Sequence, residues 1–255
     1  MKRVLQLTGS FNQGGSERQA VQLTRLLHAD EEFDVRIAVL SDEGPLRAEI
    51  TALGIANIPA FPLTSFYDAN FLRQIRRGAR YLRDNKIDVV HTHDFYTNVF
   101  GMLAARLAGV KARVASKRET TGMRSTAQKA VERNAYRLAR RIVVNAGAVR
   151  DYLAAQGIAP AKIEVVYNGL DLERVRPNAS LTRDALLSTF GLPHNKRLII
   201  IVANLRHDVK NIPMFLRAAE IVLRKHPDAG FVIAGEGGLM EDLRQMSRDL
   251  GIDDS

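Results

Sequence analysis

Short apolar, β-branched runs alternate with amphipathic helical stretches along nearly all 255 residues. That alternation constrains the fold more than any other feature. Strands buried on both faces read as continuous apolar runs, and they need helices to cover each side. The runs at 4–8, 35–40, 58–62, 89–92, 113–116, 142–145 and 163–167 read as strands. Helical periodicity fills 16–28, 46–53, 70–85, 97–108, 126–138 and 148–156 between them. The expected class is α/β, built on a doubly wound parallel sheet. A first domain spans 1–167, and a breaker-rich linker with one short helical piece at 182–190 spans 168–196. The alternation then restarts: strand 198–204, helix 212–225, strand 230–234, helix 239–250. A second domain therefore occupies 197–255. Two strand–helix units fall short of the roughly 100 residues such domains need, so this domain reads as incomplete and the chain as truncated.

Composition excludes several classes. With no cysteine there is neither a disulfide nor a thiolate metal site, which fits a reducing compartment. Gln6 interrupts the N-terminal apolar run too early for a signal peptide. The longest apolar run, Leu198 to Ala203, is far short of the roughly 18 residues of a spanning helix. The expected location is the cytoplasm. Net charge is +9, and the segment from Lys111 to Arg150 carries eleven Lys and Arg against only Glu119 and Glu132. Such a local excess points to one anionic partner surface.

Four stretches could carry chemistry. Gly9-Ser10-Phe11-Asn12-Gln13-Gly14-Gly15-Ser16-Glu17-Arg18 joins the first strand to the first helix. Its glycines admit a ligand to the backbone, and Ser16 is the expected N-cap. In Asp88-Val89-Val90-His91-Thr92-His93-Asp94, positions two apart share a strand face, so His91 and His93 point the same way. Three readings stay open for this pair: a metal pair, buried core histidines, or His93 and Asp94 meeting a substrate hydroxyl at the sheet's carboxyl edge. The metal reading lacks further ligands, because His28, His194, His207 and His226 fall in helical or linker segments. The loop Asn204 to Asn211 sets Arg206 and Lys210 at a strand's carboxyl end, where two cations can hold a diphosphate. Ala234-Gly235-Glu236-Gly237-Gly238 is the next strand-to-helix turn.

Together with Val166-Tyr167-Asn168-Gly169-Leu170-Asp171, these stretches resemble, in order and spacing, the family 4 retaining glycosyltransferases of the GT-B fold. The resemblance spans the whole chain. It implies two Rossmann-like domains, the second truncated, and sugar transfer from a nucleotide-diphosphate donor to a glycan or lipid-linked acceptor, with retention. It also implies no bound metal and no cofactor beyond the donor. By position, His93 lies beside the transferred sugar as the catalytic candidate. Gly14, Gly15, Arg206, Lys210, Gly235 and Gly237 serve the donor, and Asn168 to Asp171 open the linker. Where the family shows Gly-Arg-Leu before its lysine, this chain has Ala203-Asn204-Leu205, with Arg206 following. The Glu-x7-Glu signature that grips the donor sugar is absent from the 255 residues. The chain alone is accordingly expected to bind donor poorly and turn over little.

In 126–142 the apolar positions 127, 131, 135, 138 and 142 keep helical spacing, while Lys129, Arg133, Arg137, Arg140 and Arg141 crowd the other sides. They form either a solvated face or a dock for anionic lipid at the inner face of the membrane, facing a lipid-linked acceptor. No aromatics interleave with these cations, which argues against nucleic acid. The expected setting is polysaccharide biosynthesis. The alternatives are a non-catalytic binding module and a sugar-nucleotide epimerase of the same architecture.

Overall fold

The computed structural model describes residues 1–120, 124–176, 180–194, 197–206 and 208–254, Arg174 by its backbone alone. It divides into two compact units, Met1–Asp171 and Leu172–Ser255.

In the first unit β1 (Lys2–Thr8), α1 (Gly15–His28), β2 (Phe33–Val39), α2 (Arg47–Thr51), α3 (Ala69–Asp84) and β3 (Val89–Thr92) come first. Then follow α4 (Phe95–Ala108), β4 (Ala112–Lys117), α5 (Thr126–Leu138), β5 (Arg141–Val144), α6 (Gly147–Ala155) and β6 (Ile163–Val165). Every strand pairs in parallel, in the order β2-β1-β3-β4-β5-β6. The doubly wound sheet read from the sequence is present.

The expected strand at 58–62 is reduced to a single bridge between Val39 and Ala60. Pro59 and Pro62 have no amide hydrogen to donate to a ladder. What survives is Val39 donating to the Pro59 carbonyl at 3.1 Å and Phe61 donating to the Val39 carbonyl at 2.8 Å.

Two apolar clusters hold this unit together. Leu5, Leu7, Val90, Phe100, Met102 and Ala105 belong to the larger, and Phe11, Val21, Ile37, Val39, Leu46 and Ile50 form the smaller. Each fully buried Val, Leu, Ile, Phe or Met side chain among them contributes about 1.5–3 kcal/mol. Gly101 sets how closely α4 lies on the sheet. A Cβ there would fall 2.5 Å from Thr92 Cγ2 and 2.7 Å from Leu7 Cδ2.

The second unit contains α7 (Arg183–Thr189), β7 (Arg197–Val202), α8 (Ile212–Leu223), β8 (Ala229–Ala234) and α9 (Met240–Asp249). Its two strands are parallel and in register from Arg197 opposite Ala229 to Val202 opposite Ala234. Ala203, Leu205, Ile212, Leu216 and Leu243 form its core, while Ile200 and Val202 are exposed. No described helix is long and apolar enough to cross a membrane.

Candidate functional site

Strand order reverses between β1 and β3, because the chain runs from β1 outward to β2 and then returns to β3. In open α/β sheets ligands bind outside the carboxyl ends of the strands at this switch point. Two of the motifs singled out above meet there. The glycine loop leaves β1, and His93 and Asp94 leave β3.

Register places Gln6 opposite His91, so the alternating faces of the two strands bring Gln6, His91 and His93 to one side. The imidazoles stack with centroids 4.3 Å apart. His93 is 1% exposed. Its Nε2 lies 2.6 Å from Gln6 Oε1, and its Nδ1 lies 3.4 Å from an Arg118 guanidinium nitrogen. An amide oxygen only accepts and a guanidinium only donates, so the proton sits on Nε2 and Nδ1 is the acceptor. His91 Nε2 meets Ser116 Oγ at 2.8 Å. Burial, followed by the nearby Arg118 charge, pulls the His91 pKa down to about 3. His93 is held well below its ordinary value by burial, then by the His91 ring and Arg118. Both rings are thus neutral at pH 7. A guanidinium against His93 also disfavours a cation there.

Asp94 divides its carboxylate between two surroundings. Oδ1 accepts from the Thr97 amide at 3.0 Å, and with Thr97 closes a capping box on α4. Oδ2 is buried without a hydrogen-bond partner, beside Gly9, whose added Cβ would lie 3.2 Å from it. Burial raises the Asp94 pKa. Glu17, in the first turn of α1, is raised chiefly by burial and further by Asp94. Its carboxylate folds back over Gly14, where a Cβ would collide with Oε2. The α1 N-cap is Gly14 and not Ser16. Its extended backbone lets the helix begin at Gly15, with no side-chain cap on its free amides. Gly15 has nothing within 4 Å of an added Cβ.

The motif at 168–171 is tied to α1. Gln19 both donates to the Gly169 carbonyl at 2.8 Å and accepts from its amide at 3.0 Å, and Arg25 pairs with Asp171 at 2.6 Å.

The basic segment divides into two groups. Lys129, Arg133, Arg137, Arg140 and Arg141 are all exposed. Lys117 and Arg124 instead turn inward onto Glu132, at 3.2 and 3.0 Å, and the Tyr136 hydroxyl donates to the same carboxylate at 2.9 Å. Arg118 is partly exposed, and Arg113 donates to the Leu138 carbonyl at 2.7 Å. The last apolar position of the helical reading, Ile142, lies in β5, because α5 ends at Leu138.

In the second unit the β7 and β8 loops lock together through backbone. Leu205 donates to the Glu236 carbonyl at 2.8 Å, and Leu239 donates to the Leu205 carbonyl at 2.9 Å. Gly235 and Gly237 allow this approach, since a Cβ on either would strike the backbone of Ala203 or Leu205. Gly237 also has a φ of +154°. The Arg206 guanidinium is exposed, 4.0 Å from Glu236, and Lys210 is exposed in the turn before α8. His207 lies outside the described residues.

The model of Glycosyltransferase Family 4 matches residues 13–174. The chain belongs to glycosyltransferase family 4. A second family model, glycosyl transferases group 1, matches residues 183–255 of the chain. An Escherichia coli UDP-Gal:alpha-D-GlcNAc-diphosphoundecaprenol alpha-1,3-galactosyltransferase is 29% identical over 239 residues, covering 90% of this chain and 61% of its own. The capsular polysaccharide biosynthesis glycosyltransferase CapH of Staphylococcus aureus is 21% identical, covering 79% of this chain and 57% of its own. The chain thus spans about three fifths of the length of these relatives. In structure it is similar to Anabaena HepE in complex with UDP-glucose, with a TM-score of 0.84 at 16% identity, over 99% of this chain and 67% of that one. That likeness establishes the GT-B fold.

The candidate site includes groups whose place in it the sequence does not disclose. Gln6 was visible as a polar residue interrupting an apolar strand. Glu17 stood inside the glycine-loop motif without a role of its own, and Arg118 carried no signal beyond its charge, because their neighbours in space are distant in the chain.

Proposed function

We propose that this protein is a retaining glycosyltransferase that moves a sugar from a nucleotide-diphosphate donor to a glycan or lipid-linked acceptor in polysaccharide biosynthesis. One observation carries the reading: the glycine loop and the His93 cluster converge at the β1/β3 switch point of a family 4 chain. The E. coli relative, whose name gives a UDP-sugar donor and a diphosphoundecaprenol-linked acceptor, supports the substrate classes.

In this reading the exposed Arg206 and Lys210 hold the diphosphate and stabilise the charge that develops on it as the glycosidic bond breaks. Two fixed cations supply that neutralisation from the protein itself, without a metal. Gly235 and Gly237 hold the Arg206 loop in place, while Gly14 and Gly15 let the donor approach the α1 amides. The wall around His93 faces the transferred sugar. Radiolabel transfer from a panel of UDP-, GDP- and ADP-sugars tests the assignment. Measured in a protein that carries a complete donor domain, Arg206→Ala and Lys210→Ala should each lower kcat by about 10²–10³-fold, as loss of a charge-stabilising donor does. Variants with wild-type turnover would refute the diphosphate role.

The five exposed cations of the α5 region would meet anionic lipid, each near-surface charge adding about 1 kcal/mol. Sedimentation with phosphatidylglycerol liposomes should show binding at low salt that weakens at moderate salt. No binding at either salt would end this part of the reading.

A further inference from the structure

His93 has no ring atom left to offer a ligand. It is buried, Nε2–H is given to Gln6, and Nδ1 accepts from Arg118. The side chain that reaches outward from this cluster is Arg118 itself, which is partly exposed. One guanidinium nitrogen donates to the His93 carbonyl at 3.1 Å, and the other approaches the ring. Backbone and imidazole of one residue therefore fix the orientation of the fork. A guanidinium has five N–H groups, and among the described residues only these two bonds engage them. Asp94 and Glu17 attract it, yet among the described residues no carboxylate forms an ion pair with it. Asp94 Oδ2 is itself buried and unpartnered.

We propose that Arg118 is a substrate-binding residue of this site, that it takes a hydroxylated sugar ring rather than a phosphate, and that His93 is its positioning residue. The proposal rests on the glycosyltransferase reading and names the side chain that meets the sugar on this wall. Free guanidinium donors beside carboxyl acceptors match a hydroxyl pair, in which one oxygen accepts from Arg118 and a neighbouring O–H donates to a carboxylate. A phosphate carries at least one full negative charge at neutral pH, and at Arg118 that charge would meet the field of the Asp94 and Glu17 carboxyls. Gly9 leaves room beside Asp94 Oδ2 that any larger residue would narrow.

The test uses the 255-residue chain and two probes, methyl α-D-glucopyranoside and inorganic phosphate. Proton–nitrogen NMR reads the Arg118 Nε–Hε signal, assigned with Arg118→Lys, and the His93 ring nitrogens. The glycoside should shift Arg118 saturably and move the His93 Nδ1 signal with it, while phosphate at equal concentration leaves both in place. Arg118→Gln, with its fold checked by circular dichroism, should weaken glycoside binding at least about tenfold, the loss of one charge-assisted hydrogen bond. Arg118→Lys should recover part of it. A purely structural Arg118 would leave the glycoside response of His93 absent in the wild type. Unmoved signals, unchanged affinity in Arg118→Gln, or saturable phosphate binding at Arg118 would each overturn the proposal. A UDP-glucose titration read at Arg206 and Lys210 is scored separately. A response there with silence at Arg118 removes this inference and leaves the glycosyltransferase reading standing.

Discussion

Glu132→Ala is expected to destabilise the first unit by about 3–5 kcal/mol, the cost of breaking a buried ion pair from one side. The Glu132 side chain is 7% exposed and that of Lys117 3%. The same carboxylate also receives Arg124 and the Tyr136 hydroxyl. Without it, the buried Lys117 ammonium loses its ion-pair partner, and the Arg124 guanidinium keeps only Glu119. Lys117 already has a lowered pKa, because burial outweighs the help from Glu132. Arg124 further stacks on Phe95 at 4.7 Å and pairs with Glu119, so the loss also loosens the segment between β4 and α5. Urea unfolding followed by circular dichroism measures the effect. The double variant Lys117→Met, Glu132→Leu should recover much of the stability, since an apolar pair of similar size is often as good as the ion pair it replaces. A loss under about 1 kcal/mol in Glu132→Ala would show that the pair is solvated and contributes little.

The second large effect is acid sensitivity. His91 titrates near 3 in the folded state, against about 6.5 unfolded. His93 is also lowered well below the unfolded value. Between these limits the unfolded chain binds more protons, so stability rises with pH across the window and is lost as pH falls from about 6.5 toward 3. From pH 6.5 to pH 5 His91 should withdraw roughly 1.5 kcal/mol, by linkage at about 1.4 kcal/mol per fully differential proton and pH unit, and His93 acts in the same direction. Asp94 and Glu17 act with the opposite sign. Their pKa values are raised, so their contribution is present at low pH and is lost as pH rises through the folded values. They offset part of the histidine effect, which makes a variant comparison necessary. Urea midpoints of wild type and His91→Asn at pH 7.5, 6.5, 5.5 and 5.0 should converge as pH falls. Parallel profiles would show that His91 does not titrate below its unfolded value.

Strand and helix positions in the first unit were legible because each depends on local pattern. β1, β3 and β5 fall within a residue or two of their apolar runs, and the breaks follow glycine and the capping residues. The loss of the strand at 58–62 is written in its two prolines, which outweigh the apolar run. The shared face of His91 and His93 followed from strand periodicity alone. The start of α1 did not, since Gly14 caps by backbone conformation and Ser16 offers the commoner side-chain signal.

By itself the sequence determined the alternation of elements, the parallel sheet they imply, the family, and the placing of the glycine loop and His93 at strand ends. Only the tertiary structure decided which side chains those motifs meet. Gln6 is 87 residues from His93, Arg118 is 25 residues away, and Lys117 reaches Glu132 across 15. Such partners are set by strand order and register, which bring distant residues side by side. Local periodicity shows which way a residue faces within its own element, and it carries no record of what another element places opposite.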